Sequence, residues 1–163
     1  MPDTATEIAI ATTTLGSATA SITFNSIPAT YTDLRVVVIG TVATAGAVSI
    51  RFNSDSGSNY SRTILFGNGS TASSARSTNQ TSFVIANINS SNPSLITCDV
   101  FSYAGATFKT ALGEGSDDRN GSGVVARGVG LWRNTAAITT ITLIESNGAN
   151  FSTGTTATLY GIL

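Results

Sequence analysis

Residues 138–163 read ITTITLIESNGANFSTGTTATLYGIL, and this stretch decides the fold class. Two runs of apolar and β-branched residues flank a polar segment holding Asn147-Gly148, a pair that accepts the positive φ angles of tight turns. The pattern predicts two neighbouring antiparallel strands. Leu159, Tyr160, Ile162 and Leu163 carry apolar side chains to the last residue, where a chain end is ordinarily polar and frayed. The end is therefore expected to be a docked strand.

Working back from it, the same grammar recurs. Ala20 to Asn25 alternates, with Ile22 and Phe24 against Ser21, Thr23 and Asn25, the period-2 signature of a half-buried strand. Asp33 to Val42 holds the continuous run Val36 to Ile39, which predicts a central strand covered on both faces. Ala47 to Asn53 alternates again, and the Ala45-Gly46 turn predicts that it forms a hairpin with the strand before it. Further strands are expected over Tyr60 to Phe66, Thr81 to Ile88, Ser94 to Tyr103, Ala106 to Leu112 and Val124 to Arg133, the last kinked or bulged at Gly128 and Gly130. Gly67 to Asn79 and Gly113 to Gly123 read as polar loops. Ile8 to Thr14 is a candidate first strand, and residues 1–14 could form an extended N-terminal arm.

No sustained i, i+3, i+4 apolar pattern with caps occurs, so helices are not expected. The prediction is an all-β, two-sheet antiparallel sandwich, jelly-roll-like, in a single domain over residues 1–163. A chain of this length buries roughly 70% of its unfolded surface, enough for one core.

Charged residues make up 10% of the chain, against about 25% in an average soluble domain. The net charge is −1 and Lys109 is the single lysine, so neither nucleic acid nor an anionic membrane is an expected partner. A surface of hydroxyls and amides with little charge also resists association poorly, which suits a protein that lives in an assembly. The N-terminus lacks the basic segment and unbroken apolar run of a signal peptide. No stretch approaches the ~20 apolar residues that span a bilayer. Synthesis in a cytoplasm without export is the expectation, and the Asn-x-Ser/Thr sequons at Asn59, Asn68, Asn79, Asn89, Asn120 and Asn150 then carry no glycan.

Histidine is absent, which excludes a Ser-His-Asp triad, histidine acid-base work and most zinc or copper sites. Glu114, Asp117 and Asp118 form the one candidate carboxylate set for glycoside hydrolysis, but a Gly/Ser loop offers no walls to raise one pKa. Asn53 to Asn59 (NSDSGSN) imitates the start of a calcium loop, yet its glycine comes one position early and Ile64 stands where a bidentate glutamate belongs. A hairpin turn is the better reading. Cys98 lies in a strand pattern and reads as packed. Trp132 beside Arg133, with Tyr31, Tyr60 and Tyr103, could line a carbohydrate or protein contact, although a lone tryptophan in a strand is more often core. No catalytic, cofactor-binding or metal-ligating residue is assigned, no cofactor is expected, and no enzymatic activity is predicted.

Two stretches resemble a known group. SITFNSIPATYTDLRVVVIG (Ser21 to Gly40) followed by AVSIRFNSDSGSNYS (Ala47 to Ser61) resembles a recurrent pattern in virion proteins of tailed bacteriophages. GLWRNTAAITTITLIESNGANFSTGTTATLYGIL resembles the usual close of that group: a tryptophan strand, two Ile/Thr-rich strands about Asn-Gly, then Leu-Tyr-Gly-Ile. The resemblance covers somewhat more than half the chain. It implies a jelly-roll-like sandwich, often trimeric, that binds other virion proteins and has no catalytic residues. The expectation that follows is a capsid decoration (cement) protein. It would be made in the host bacterial cytoplasm, sit on the capsid surface of the virion as a homotrimer and have the major capsid protein as its partner. The alternative is a tail-associated receptor- or carbohydrate-binding module.

Overall fold

The structure is a computed structural model and describes residues 6–163. Twelve strands and no helices are found among them. Eight form one wound unit: β1 (Glu7–Thr14), β2 (Ser21–Phe24), β3 (Asp33–Gly40), β4 (Gly46–Phe52), β7 (Phe83–Ile88), β8 (Ser94–Phe101), β11 (Ile141–Glu145) and β12 (Thr156–Ile162). They pair antiparallel as nested partners, β1 with β12, β2 with β11, β3 with β8 and β4 with β7. That is one long hairpin wound into two sheets, which is the jelly-roll winding. Two hairpins are inserted in it: β5 (Tyr60–Gly67) with β6 (Ala72–Gln80), and β9 (Lys109–Asp118) with β10 (Gly123–Trp132). Both inserts extend one sheet, giving the orders β1-β12-β3-β8-β9-β10-β5-β6 and β2-β11-β4-β7. The all-β sandwich expected from the sequence is what forms.

Alternating side chains from both sheets make the core. Ile22 and Phe24, Val48, Ile50 and Phe52, and Ile141 and Leu143 face Leu34, Val36 and Val38, Ile96, Cys98 and Val100, and Ala157 and Leu159. Cys98 is fully buried, and burial pushes its thiol pKa up, so it is packed as expected. The docked C-terminal strand is also present, with β12 held between β1 and β3.

Several local expectations are corrected. The two closing strands are not neighbours, because β11 lies in the four-stranded sheet and β12 in the other. Glu145 ends β11: its carboxylate accepts the backbone N–H groups of Ala47, Asn147 and Ala149 at 3.1, 2.7 and 2.9 Å. Phe151, fully buried and bridged to Thr19 and Val42, then carries the chain across the gap. Likewise β3 and β4 do not form a hairpin. They belong to different sheets, and Val42 and Ala43 donate instead to Asn89 and Asn150. Strand β3 is central but covered on one face only: Val36 and Val38 are buried while Ile39 is 51% exposed. The turn at Asn53 to Asn59 likewise joins two sheets rather than closing a hairpin, although its chemistry is that of a turn, with Asn53 and Ser54 at φ 51° and 57°.

Most of the predicted loop at Gly67 to Asn79 is strand β6, and the turn proper is Asn68 to Thr71. Nearly all of β6 is exposed, so the backbone ladder to β5 holds it and no apolar pattern announces it. The predicted loop at Gly113 to Gly123 is mostly the β9–β10 hairpin, turning only at Arg119 to Ser122. Nor is β10 bulged at Gly128 or Gly130, since its register with β9 and β5 is unbroken. Gly130, with Gly113 and Gly115 of β9, answers instead to the opposite sheet. A Cβ on Gly130 would sit 2.4 Å from the Phe83 ring, one on Gly113 2.7 Å from Ile85, and one on Gly115 2.3 Å from Ala86. Strand β7 can lie on β9 and β10 only because those positions have no side chain. Glu7–Thr14 is an edge strand paired to β12 of its own chain, with Ile8 and Ile10 half-buried on one face, so residues 7–14 are not a free arm. Residues 1–5 of the proposed arm lie outside the described residues.

Candidate interaction surface

One face of the eight-stranded sheet packs on the four-stranded sheet, and the other is open. Strand alternation sends Arg35, Val37 and Ile39 of β3 to the open face, and the register continues each of them across the sheet. Ile39 pairs with Leu95, Leu95 with Ser116 and Ser116 with Val125. In the next row Val37 is followed by Thr97, Glu114, Arg127 and Leu65, and beyond it Arg35 by Asp99, Leu112, Val129 and Thr63. Ile39, Leu65, Leu95, Val125 and Val129 are between 45% and 66% exposed. Together they spread apolar surface from β3 to β5. Isolated exposed apolar residues need no explanation, but several on one face make that face a candidate interaction surface.

Two arginines on this face are paired with carboxylates, while Arg76 of β6, opposite Thr63 at the end of the Val129 row, is in no ion pair among the described residues. Arg35 meets Asp99 with two bonds, 2.6 and 3.1 Å, and Glu7 at 3.5 Å. The Asp99 hydrogen bond, opposed by some burial and helped by the neighbouring carboxylates, raises the Arg35 pKa further. Arg127 lies 3.8 Å from Glu114. Exposed pairs of this kind contribute little to stability, but they leave no strong field of either sign. A shallow depression of about 340 Å³ lies between Leu95, Thr97, Glu114, Ser116, Val125 and Arg127. A second, about 500 Å³, opens between the β5–β6 and β9–β10 turns and is lined by Asn68, Asp117, Asp118 and Ser122 among others.

The candidate residues from the sequence do not assemble into a reaction centre. Glu114 and Asp117 project from opposite faces of β9. Asp117 is buried, accepts from Asn89 Nδ2 at 3.1 Å and is paired with Arg119 at 3.1 Å. Asp118 accepts the N–H of Asn120 at 2.8 Å. The three carboxylates therefore sit in a hairpin, not in a solvated loop, and each has its own partner. No group of three or more histidine, cysteine, aspartate or glutamate side chains placed to hold a metal is found among the described residues.

The aromatic residues are interior. Trp132 is 1% exposed, and Tyr60 and Tyr103 are fully buried. Trp132 stacks on Tyr60 at 6.3 Å and 19°, and tilts against Phe52 at 5.5 Å. Its Nε1–H donates to Asp55 Oδ2 at 2.7 Å, and the same carboxylate accepts from Asn59 Nδ2 at 2.9 Å and from the Gly57 N–H at 2.8 Å. Burial alone would raise the Asp55 pKa; these three donors outweigh it and hold the carboxyl below its usual range. Burial pushes the Tyr60 hydroxyl up to about 12. The acidic residue of the imitation calcium loop is thus the anchor of the tryptophan. With Tyr31 alone half-exposed, no aromatic platform for a sugar exists at these positions. Lys109, the single lysine, is also fully buried, its Nζ donating to the carbonyls of Gly105, Thr107 and Thr135 at 2.5, 2.6 and 3.3 Å.

The open face itself escapes a sequence reading that equates apolar with buried. A signal was present: in Val36 to Ile39, Ile64 to Phe66 and Val124-Val125, apolar residues fall on both parities of a strand. That pattern means either cover on both faces or one apolar face left open.

The class defined by fold and surface is a jelly-roll β-sandwich with an extended, partly apolar open sheet. No known family and no curated protein matches the chain. Among solved structures it is similar to the Caenorhabditis elegans galectin LEC-6, with a TM-score of 0.37 and 11% identity over 94% of this chain and 95% of that one. A likeness at that level carries no argument about function.

Proposed function

We propose that this protein is a structural component of a bacteriophage virion, a capsid decoration protein that binds the assembled head through the open face of its eight-stranded sheet. The observation that carries the reading is that face: Ile39, Leu65, Leu95, Val125 and Val129 exposed together, with Arg35 and Arg127 among them each paired to a carboxylate. Supporting it are the likeness of two sequence stretches to tailed-phage virion proteins, the scarcity of charge and the dispersal of the candidate carboxylates. The mechanism is mass action. A ligand that binds only the assembled lattice stabilises it by its binding free energy, and a homotrimer held at several points gains avidity.

Copy number in purified virions, measured by quantitative mass spectrometry against the major capsid protein, tests this. Copies comparable with the capsid protein are expected. A number matching tail proteins would move the assignment to a tail-associated receptor- or carbohydrate-binding module, and absence from virions would end both.

A further inference from the structure

The chain contains three Asn-Gly pairs, Asn68-Gly69, Asn120-Gly121 and Asn147-Gly148, all exposed. Asparagine followed by glycine is prone to spontaneous deamidation. The backbone nitrogen of the glycine attacks the asparagine Cγ, passing its proton to the departing amide nitrogen, which leaves as ammonia. Water then opens the resulting succinimide at one of its two carbonyls, giving aspartate or isoaspartate. The attack needs a glycine N–H free to ionise and a carboxamide free to swing onto it.

The fold treats the three pairs differently. At Asn147-Gly148 the Gly148 N–H donates to the Glu145 carbonyl at 3.1 Å, and the Glu145 carboxylate holds the N–H groups on either side. A hydrogen bond to the neutral form, with an anion close by, disfavours ionisation of that nitrogen. At Asn68 the side-chain oxygen is clamped by Ser70 N at 3.0 Å, Thr71 N at 2.9 Å and the Thr71 hydroxyl at 3.2 Å. At Asn120 neither restraint exists. Its carboxamide and the Gly121 N–H have no hydrogen-bond partner among the described residues, while the turn is closed around them by Arg119 N to Ser122 O at 2.7 Å and Asn120 N to Asp118.

We infer that Asn120 is a site of spontaneous, self-catalysed modification: it deamidates first in the folded protein, and Asn147 is protected by the fold. Conversion sets a new carboxylate two residues from Asp118, beside the cleft between the β5–β6 and β9–β10 turns. The chain becomes one unit more negative with each event.

Incubation of the folded protein in mildly alkaline buffer, followed by peptide mapping, measures this as a gain of about one mass unit at each asparagine. Asn120 is expected to convert about tenfold faster than Asn147, the factor introduced by having to break one ordinary hydrogen bond, with Asn68 between them. The same incubation in urea is expected to bring the three rates together. Equal rates in the folded protein, a lead by Asn68 or Asn147, or an unchanged ranking in urea would each overturn the inference.

Discussion

Strands β5 and β10 run side by side, and their two ends have opposite characters. At one end Trp132 is opposite Tyr60, both are buried, and Asp55 ties the tryptophan to the turn between the sheets. At the other, Val125 is opposite Gly67, Val125 is 66% exposed, and two polar turns frame an open cleft. The backbone ladder is the same throughout. What differs is what the rest of the chain lays over it: Phe52 of β4 covers the first end, and beyond Ala126 the second faces solvent. Burial is thereby concentrated at one end of this pair of strands and exposure at the other, and variants should respond accordingly.

The largest effect is expected at the closed end. Trp132→Ala removes the central ring of the aromatic cluster and leaves Asp55 without its indole donor, a loss of roughly 3–5 kcal/mol. A chain of this size shifts its Tm by about 2–4 °C per kcal/mol, so thermal unfolding should move down by on the order of 10 °C. An unchanged Tm would mean that the cluster is not the clamp described. Next comes the contact that lets the sheets close. Gly130→Ala puts a methyl group against the buried Phe83 ring and should cost about 1–3 kcal/mol, read as a lower urea midpoint. An unchanged midpoint would mean that the two sheets do not close on that position.

Acid is a third probe. Asp55 and Glu145 both have folded-state pKa values below the ordinary carboxyl range. For Glu145, burial acts in the opposite direction and is outweighed by the Ala149, Ala47 and Asn147 N–H groups and the Ser146 hydroxyl. A depressed carboxyl stabilises the fold above its unfolded pKa of about 4 and loses that contribution as pH falls through the folded value. With no histidine to titrate, Tm should be nearly level from about pH 6 to 8 and fall below about pH 4.5. Asp55→Asn and Glu145→Gln should each lower Tm at neutral pH and flatten the acid slope. A slope identical to the parent in both variants would refute the assignment.

The smallest stability effect belongs to the open face. Leu65→Ser and Val125→Ser should change stability by no more than about 0.5 kcal/mol yet weaken attachment to purified heads, since an anchor at a protein interface contributes more than about 1 kcal/mol. Undiminished attachment, with the copy number that marks a shell protein, would shift the binding face elsewhere on the molecule.

What could be read in advance follows from how far each signal reaches. Ile22 and Phe24, or Val48, Ile50 and Phe52, announce strands because alternation is local. Sheet membership is not local: the closing strands looked like a hairpin because Asn147-Gly148 permits one, but Glu145 uses that turn to end β11. Strand β6 has no apolar period at all and is held by its ladder to β5. Gly113, Gly115 and Gly130 looked like turns or bulges because their cause, Ile85, Ala86 and Phe83 respectively, lies more than 25 residues away in sequence.

By itself, then, the sequence determined the all-β class, most of the strand-forming segments but not β6, the buried Cys98, the docked C-terminus and the absence of histidine chemistry. Each of these rests on residue type or on a period of two. Only the tertiary structure decided which strands share a sheet, that Lys109 is interior, that Asp55 anchors Trp132, and that one apolar-bearing face stays open. Those outcomes depend on what the winding brings from distant parts of the chain to lie on each surface, and that is a property of the packed whole.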